Sequence, residues 1–218
     1  GTPGVAEHAM RLESTADARL FQRRLVNACV RAHAQPGPLA PGQLHVAIIG
    51  AGATGVELAA ELHRSTRALV SYGLTRIDPD KDLKLHVIEA APRILPGLPE
   101  RLSSAAQDLL RGLTVEVSTN ARVSAVEPGR VLLADGRVID AELVVWAAGV
   151  KAPDFLKDID GLETNRANQL VVKPTLQVTR DEHIFAMGDC AACTWPQAPG
   201  GKGGLVRVEI ADNKPVFT

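Results

Sequence analysis

The sequence has few cysteines, few aromatic residues and no long apolar run, and each scarcity excludes a class of protein. Its 218 residues include three cysteines, Cys29, Cys190 and Cys193. This low, odd number argues against a disulfide framework and favours a reducing compartment. No apolar run approaches the roughly 20 residues that a membrane-spanning helix needs. No charged-then-apolar leader is present, so we expect no secretory signal in this sequence.

The charge is balanced and the core must be aliphatic. The formal net charge is -1 and no run of Lys or Arg occurs, so we predict no nucleic-acid surface. The chain is 45% hydrophobic but only 3% aromatic, so Val, Leu, Ile and Ala must fill the interior. Cys190 and Cys193 form a single C-x-x-C with no second pair and no suitably spaced His. A redox dithiol is the minor alternative there, and no metal site is predicted.

The stretch "VAIIGAGATGVELAAELH" (46–63) is the most informative part of the chain. A buried strand passes through Gly50, Gly52 and Gly55 into a helix. In a G-x-G-x-x-G turn the first glycine permits the tight bend, the second admits a pyrophosphate and the third lets the helix pack on the strand. The helix start, including Ala53 and Thr54, offers free amides and a partial positive charge to the phosphates. A glycine-rich turn without a ligand is the alternative.

The order of elements predicts an α/β fold of three layers. Strands at 44–50, 83–89 and 113–118 alternate with helices at 54–71 and 99–112, which favours a parallel sheet with strand order 3-2-1. Three short alternating runs follow, divided by Pro128-Gly129 and Asp135-Gly136, and they predict an antiparallel β-meander. A buried strand at "ELVVWAAG" returns to the sheet. Further strands are expected at 170–172 and 183–187.

An acid ends the second strand of this unit. Glu89 lies where a carboxylate accepts hydrogen bonds from the adenosine ribose hydroxyls. A carboxylate there repels a 2′-phosphate, so NAD(H) is favoured over NADP(H), and Arg93 is positioned to soften that preference. A solvated acid at the end of a strand is the alternative for Glu89.

Glu57, one turn into the helix, has two interpretations. A carboxylate near a helix N-terminus is stabilised by the helix dipole, and that alone would account for it. The other interpretation is that Glu57 points along the cofactor toward the nicotinamide, where it would bind the carboxamide or move a proton. Position in the sequence favours the first.

Four segments together resemble type II NADH dehydrogenase, a flavoprotein of the pyridine nucleotide-disulfide oxidoreductase plan that oxidises NADH and reduces quinone. They are "GAGATGVELAAEL", "LHVIEAAPRILP", "VVWAAGV" and "IFAMGDCAAC". The resemblance implies that Glu57 is the acid beside the nicotinamide, which reverses the weighting above. It also implies that Ala147, Ala148 and Gly149 pass close to NADH, and that Gly188 and Asp189 contact the ribityl or phosphate end of FAD.

The resemblance also divides the chain. It implies a Rossmann-like NAD(H)-binding domain at 44–150, flanked by partial FAD-domain segments. Residues 1–43 would link out of the FAD domain through a helix and the Pro/Gly stretch at 35–43, and 151–195 would return to it. The tail at 196–218 departs from the family and alternates like a short strand pair, so we expect a β-hairpin. No first G-x-G-x-x-G and no membrane anchor occur in this sequence.

The resulting expectation is the NADH-binding portion of an FAD-dependent NADH:quinone oxidoreductase of the respiratory chain. The parent would bind NADH, FAD and quinone and lie peripherally on the cytoplasmic face of the inner membrane, attached through regions outside this sequence. This portion alone is expected to be inactive. The alternatives are a non-catalytic NAD(H)-binding module and a related two-domain flavoprotein reductase. The sequence contains no redox-active C-x-x-x-x-C, which argues against a disulfide reductase.

Overall fold

The structure is a computed structural model that describes residues 1–149, 151–195, 204–206, 208–211 and 214–217. The chain divides into two compact units, Gly1–Gly149 and Val150–Thr218. Four α-helices are described, all in the first unit: α1 (Val5–His8), α2 (Thr15–Ala34), α3 (Ala53–Ser71) and α4 (Glu100–Gly112).

A five-stranded parallel sheet forms the middle of the first unit, in the order β1-β8-β2-β3-β4. Its strands are β1 (Met10–Arg11), β2 (His45–Ile49), β3 (Lys84–Ile88), β4 (Glu116–Ser118) and β8 (Leu143–Trp146). The predicted order 3-2-1 is therefore confirmed as β4-β3-β2. Strand β1 extends the sheet beyond β8, where Met10 pairs with Val145. A strand of two residues is too short to give a periodic pattern in the sequence.

Side chains alternate along each strand, so the sheet has two buried faces. On one face Ile48, Val87 and Val145 pack with the apolar sides of α2, α3 and α4. On the other face Ile49 and Val144 pack with α1 and with a second sheet. Helices, parallel sheet and second sheet make three layers, as the sequence predicts.

The second sheet is the predicted meander. It consists of β5 (Val123–Glu127), β6 (Arg130–Leu133) and β7 (Val138–Asp140), paired antiparallel in chain order. Gly136 takes a φ of +88°, which favours glycine, at the Asp-Gly turn between β6 and β7. Its N–H donates to the carbonyl of Leu133 over 3.1 Å.

Residues 1–43 belong to the same compact unit as the nucleotide-binding motif. Ser14 caps α2 by accepting a hydrogen bond from the N–H of Asp17 (3.1 Å). The helix buries Phe21 and Leu25 in the helical core. The Pro/Gly stretch at 35–43 thus joins two parts of one unit and does not separate two units. The physical reason is that the apolar face of α2 is buried against the sheet.

The second unit has its own small core, built from Leu156, Val172, Val178 and other aliphatic residues. Strand β9 (Leu170–Val172) runs parallel to β10 (Ala191–Trp195), which pairs antiparallel with β11 (Gly204–Val206). Strands β12 (Val208–Ala211) and β13 (Lys214–Phe217) also pair antiparallel. The hairpin expected in the tail corresponds to these two strands, while 196–203, 207, 212–213 and 218 lie outside the described residues.

The strand predicted at 183–187 is wrong. The carboxylate of Asp181 accepts from the N–H of His183 (2.7 Å), which bends the chain at the start of the segment. An isolated bridge between Gln177 and Phe185 takes the place of a ladder. Phe185 and Met187 are 56% and 51% exposed, so the apolar pattern there is not matched by burial. Within the part of the chain that the structure describes, no helix combines the length and apolar character required to cross a bilayer.

Candidate functional site

Three predicted segments meet at one edge of the parallel sheet. Ile49 pairs with Ile88 on one side and with Trp146 on the other, so β2, β3 and β8 end together. The residues that follow these strands are the glycine-rich turn, Glu89 and the Ala147–Gly149 segment. In open α/β sheets the carboxyl ends of the strands form the ligand-binding crevice.

Gly50 and Gly55 are required by close contacts of the main chain. Gly50 has a φ of +105°, and a Cβ there would lie 2.7 Å from the Cα of Ala148. A Cβ on Gly55 would lie 1.9 Å from the carbonyl oxygen of Gly50. The first glycine therefore lets the turn cross the Ala147–Gly149 segment, and the last lets α3 approach the end of β2.

Gly52 differs from both, because a Cβ there would meet nothing within 4 Å. Its φ of −71° is ordinary for any residue, so neither strain nor packing explains the glycine. Gly52 is the N-cap of α3, no side chain caps that helix end, and Ala53 and Thr54 are exposed. The open volume in front of uncapped helix amides fits a phosphate group.

Glu89 is half-buried and bound to the turn. One carboxylate oxygen accepts from the N–H of Ala51 and the other from the N–H of Ala91, each over 2.8 Å. A carboxylate oxygen accepts more than one hydrogen bond, so both retain capacity for the hydroxyls of a ligand. Glu89 thus holds the glycine-rich turn in place while presenting an acceptor beside it.

A second contact holds the carbonyl of the same residue, Ala51. The N–H of Leu95 donates to the carbonyl of Ala51 (2.8 Å). Leu95 lies in the loop between β3 and α4, and the buried hydroxyl of Ser103 donates to the neighbouring carbonyl of Ile94. The turn is therefore held by β3 through Glu89 and by the start of α4 through this loop.

Arg93 forms hydrogen bonds within the loop between β3 and α4. Its guanidinium donates to the carbonyls of Leu98 (2.7 Å) and Pro96 (2.8 Å). These bonds orient Arg93 toward its own backbone, so a role in accepting a 2′-phosphate would require them to break. No local pattern in the sequence predicts this loop-stabilising role.

The Ala147–Gly149 segment continues from β8 past the glycine-rich turn. The N–H of Ala147 donates to the carbonyl of Ile49 (2.7 Å), and the indole N–H of Trp146 donates to the carbonyl of Ala148 (2.8 Å). Gly149 is exposed with a φ of +83°. The small side chains leave the space above the strand ends open.

Glu57 is exposed on α3. It lies in the second turn of the helix whose N-terminus opens on the candidate phosphate site, five residues after the Gly52 cap. The structure places it on the same helix as the site, and its role toward the nicotinamide stays a prediction.

Gly188 and Asp189 lie in the second unit, in a short 3₁₀ helix at Gly188–Cys190. Gly188 has a φ of +77°, Asp189 is exposed, and the side-chain amide of Gln169 donates to the carbonyl of Asp189 (3.0 Å). The role of Gly188 and Asp189 toward FAD stays a prediction.

The two cysteines of the C-x-x-C have different surroundings. The Cys190 thiol donates to the carbonyl of Met187 (3.2 Å), whereas Cys193 is buried in the core of the second unit, where burial raises its pKa. A raised pKa disfavours a reactive thiolate. Among the described residues no cluster of three or more His, Cys, Asp or Glu side chains is arranged to hold a metal ion.

Sequence comparison agrees with this geometry. The model of the pyridine nucleotide-disulphide oxidoreductase family matches residues 1–211, so the chain belongs to that family. Within it, the chain is 42% identical over 203 residues to a type II NADH:quinone oxidoreductase of Haemophilus influenzae, covering 88% of this chain and 46% of that protein. It is 33% identical over 173 residues to the type II NADH:quinone oxidoreductase NdhA of Mycobacterium tuberculosis, covering 76% of this chain and 36% of that protein.

Structure comparison supports the fold. The chain is similar to NDH2 of Plasmodium falciparum, solved in complex with NADH, with a TM-score of 0.73, 24% identity, and coverage of 89% of this chain and 41% of that one. At this identity the likeness shows the fold. The chain spans about half the length or less of the curated relatives it matches.

Proposed function

We propose that this chain is the NADH-binding portion of an FAD-dependent NADH:quinone oxidoreductase of the respiratory chain. The observation that carries the proposal is the difference between the three glycines. Gly50 and Gly55 are explained by contacts within the protein, whereas Gly52 faces open space before the uncapped start of α3. A pyrophosphate in that space would accept hydrogen bonds from the amides of Gly52 to Gly55.

The remaining residues arrange NADH around that point. Glu89 would accept from the adenosine ribose hydroxyls and repel a 2′-phosphate, which favours NADH over NADPH. Ala147, Ala148 and Gly149 would let the cofactor pass across the strand ends. Glu57 would bind the carboxamide or hold a proton near the nicotinamide.

The residues that we propose to bind FAD lie in the second unit. Gly188 and Asp189 would hold the ribityl or phosphate end of FAD. FAD supplies the ring that accepts the hydride and transfers electrons onward to quinone. The task of this chain is to orient NADH, and we propose that the parent protein works peripherally at the cytoplasmic face of the inner membrane.

A second candidate function is a non-catalytic NAD(H)-binding module. It is favoured by one observation, that the whole glycine-rich site is built within the first unit. A yellow, flavin-containing preparation would favour the oxidoreductase, and a colourless one that binds NADH would favour the module. A related two-domain reductase is the remaining alternative.

Calorimetric titration with NADH and NADPH tests the nucleotide site. We expect NADH to bind more tightly, and Glu89→Ala to weaken NADH binding about tenfold through the loss of charge-assisted hydrogen bonds. Glu89→Gln keeps an acceptor for Ala51 but removes the negative charge, so it should raise the affinity for NADPH relative to NADH.

The control is Glu61→Ala, which removes an exposed carboxylate from α3 without touching the turn. It should leave both affinities unchanged. An NADH:NADPH ratio that stays the same in both Glu89 variants would contradict the ribose role of this residue.

A further inference from the structure

Ser103 is a buried polar residue in the first turn of α4 to which the proposed function assigns no role. It is 1% exposed, and its hydroxyl donates to the carbonyl of Ile94, a residue that is also fully buried. The adjacent Ser104 is exposed, so the two serines of α4 have different surroundings. A buried hydroxyl that donates to one backbone carbonyl fixes the position of that peptide.

The carbonyl that Ser103 holds belongs to the 94–95 peptide, and the N–H of the same peptide is the one that donates to Ala51. The Leu95 nitrogen lies 2.8 Å from the Ala51 oxygen. The peptide is trans and planar, so its C=O and its N–H point in opposite directions. One rigid peptide therefore joins the hydroxyl of Ser103 to the carbonyl of Ala51.

The same geometry is repeated in the 51–52 peptide of the glycine-rich turn. The carbonyl of Ala51 and the N–H of Gly52 belong to this trans peptide, so a contact that fixes the carbonyl also fixes the direction of the N–H. Gly52 is exposed, and its N–H donates to no group in the part of the chain that the structure describes. The series of hydrogen bonds that begins at Ser103 thus ends at an amide of the candidate phosphate site.

The segment that links the two ends has an unusual conformation. Leu95 has a φ of +46°, in the left-handed region that a leucine rarely adopts. Its carbonyl accepts from the N–H of Leu98 (2.9 Å), and Arg93 donates to the carbonyls of Leu98 and Pro96. Such a conformation persists only where the surrounding structure holds it. Loss of the hydroxyl of Ser103 should therefore let the 94–95 peptide turn away from Ala51.

We propose that Ser103 is a positioning residue for the diphosphate of NADH. It acts through the 94–95 and 51–52 peptides, which direct the N–H of Gly52 toward the ligand. Hydrogen bonds in series also polarise one another, so the hydroxyl makes the Gly52 amide a stronger donor to an anion. The proposal rests on the nucleotide site of the proposed function and adds to it a residue of a different element, α4.

Pairing a buried carbonyl is the other task that this hydroxyl could perform. A hydroxyl with that task alone would contribute to stability, because an unpaired buried carbonyl destabilises the fold. Its removal would leave the affinity of the folded chain for NADH unchanged. Binding by a folded variant therefore distinguishes positioning from packing.

Amide NMR and calorimetry of the full chain with Ser103→Ala test the proposal. In the free variant the amide protons of Leu95 and Gly52 should shift upfield, and the Leu95 amide should exchange with solvent about tenfold faster. The dissociation constant for NADH should rise about fivefold, as for the loss of one hydrogen bond. The amide of Ala91, which Glu89 holds, should not shift.

Two further variants give matched comparisons. Ser104→Ala removes the exposed hydroxyl of the adjacent residue and should change neither the amides of Leu95 and Gly52 nor the affinity for NADH. Ser103→Thr keeps the hydroxyl and should bind NADH like the wild type. Urea denaturation of each variant shows that binding is measured on folded protein.

A double-mutant cycle with Gly52→Ala tests the route through the 51–52 peptide. The methyl group of Gly52→Ala lies beside the amide on which Ser103 is proposed to act. Adding Ser103→Ala to Gly52→Ala should therefore raise the dissociation constant by less than about twofold, because the two changes affect one contact. A full, additive loss in the double variant would show that Ser103 acts by another route and would overturn the proposal.

Three other results would also overturn it. They are a folded Ser103→Ala that binds NADH like the wild type, a folded Ser103→Thr that binds as weakly as Ser103→Ala, and a wild-type Leu95 amide that exchanges as fast as an unprotected one. The last result needs no variant. A wild type that binds no NADH would contradict the proposed function instead, and the amides of Leu95 and Gly52 in the free protein would still decide whether Ser103 acts on Gly52.

Discussion

At the scale of single residues, the three glycines of one motif meet different demands. The tight bend predicted for Gly50 and the close packing predicted for Gly55 both correspond to backbone contacts in the structure. Gly52 has no such contact, so its lack of a side chain points to a ligand. The sequence motif does not distinguish the three glycines. Only the atoms that a Cβ would meet at each position show which glycine the fold requires.

Alanine substitutions should separate stability from binding. Gly55→Ala places a Cβ 1.9 Å from the oxygen of Gly50, so we expect it to reduce the free energy of unfolding by about 3 kcal/mol. Gly52→Ala places its Cβ in open space and should leave stability unchanged, yet weaken NADH binding. Urea denaturation and calorimetry measure the two effects. Equal loss of stability in both variants would refute this division of roles.

The contacts that hold Ala51 were not predictable from the sequence. Glu89 was singled out as a ribose ligand, but its bond to the N–H of Ala51 spans 38 positions. The bond from Leu95 to the carbonyl of the same residue spans a similar distance along the chain. Such contacts depend on where two loops meet, and no local pattern reports that. The stretch "PRILP" enters the sequence analysis only as part of a family resemblance.

At the scale of secondary structure elements, periodicity predicted the regular parts well. Strands β2 and β3 and helices α3 and α4 differ from their expected bounds by no more than one residue at either end. The prediction failed at 183–187, where an apolar pattern is not buried and forms only an isolated bridge. An alternating pattern predicts a strand only if a partner strand is available, and the sequence does not show whether one is.

Helix α2 shows how one element is fastened to the sheet. Arg31 donates to the carboxylate of Glu142 (2.5 Å), and the other oxygen of that carboxylate accepts from the N–H of Leu44 (2.9 Å). Leu44 has a φ of +62°, an unusual conformation for a leucine. Cys29 lies on the buried side of α2 and is fully buried.

The buried thiol predicts a pH dependence of stability. Burial, with a smaller contribution from the charge of Glu142, raises the pKa of Cys29 from 9.0 to about 11. The unfolded chain therefore releases this proton at lower pH than the folded one. The contribution of Cys29 is fully present below pH 9 and is lost as pH rises toward 11, by about 3 kcal/mol.

Urea denaturation of wild type and Cys29→Ala at several pH values measures this loss. Lysine and tyrosine titrate in the same range in both proteins, so the difference between the two curves isolates the thiol. The wild type should lose more stability than the variant above pH 9. Parallel curves would show that the thiol is not responsible.

At the scale of the whole molecule, the sequence predicted the layers and the strand order of the first unit. Right-handed βαβ connections leave few arrangements, and the Asp-Gly turn identified the meander. Residues 1–43, predicted as a link out of the FAD domain, lie in the same compact unit as the glycine-rich turn. Strand β1 is two residues long and pairs with β8 more than 130 positions away, so no periodic signal exists for it.

The chain spans 46% of its Haemophilus relative, so the complete reaction belongs to the proposals above. The family membership and the fold of the first unit do not depend on those proposals. The central claim is narrower: the glycine-rich turn, held through Ala51, binds the pyrophosphate of NADH.

Amide NMR of the isotope-labelled chain during titration with NADH tests that claim most directly. The account predicts that the largest shifts occur in the amides of residues 51–55, where the uncapped start of α3 meets the phosphates, with smaller shifts at 89–91 and 147–149. Binding of NADH that leaves the amides of 51–55 unmoved, and shifts a different region, would contradict it.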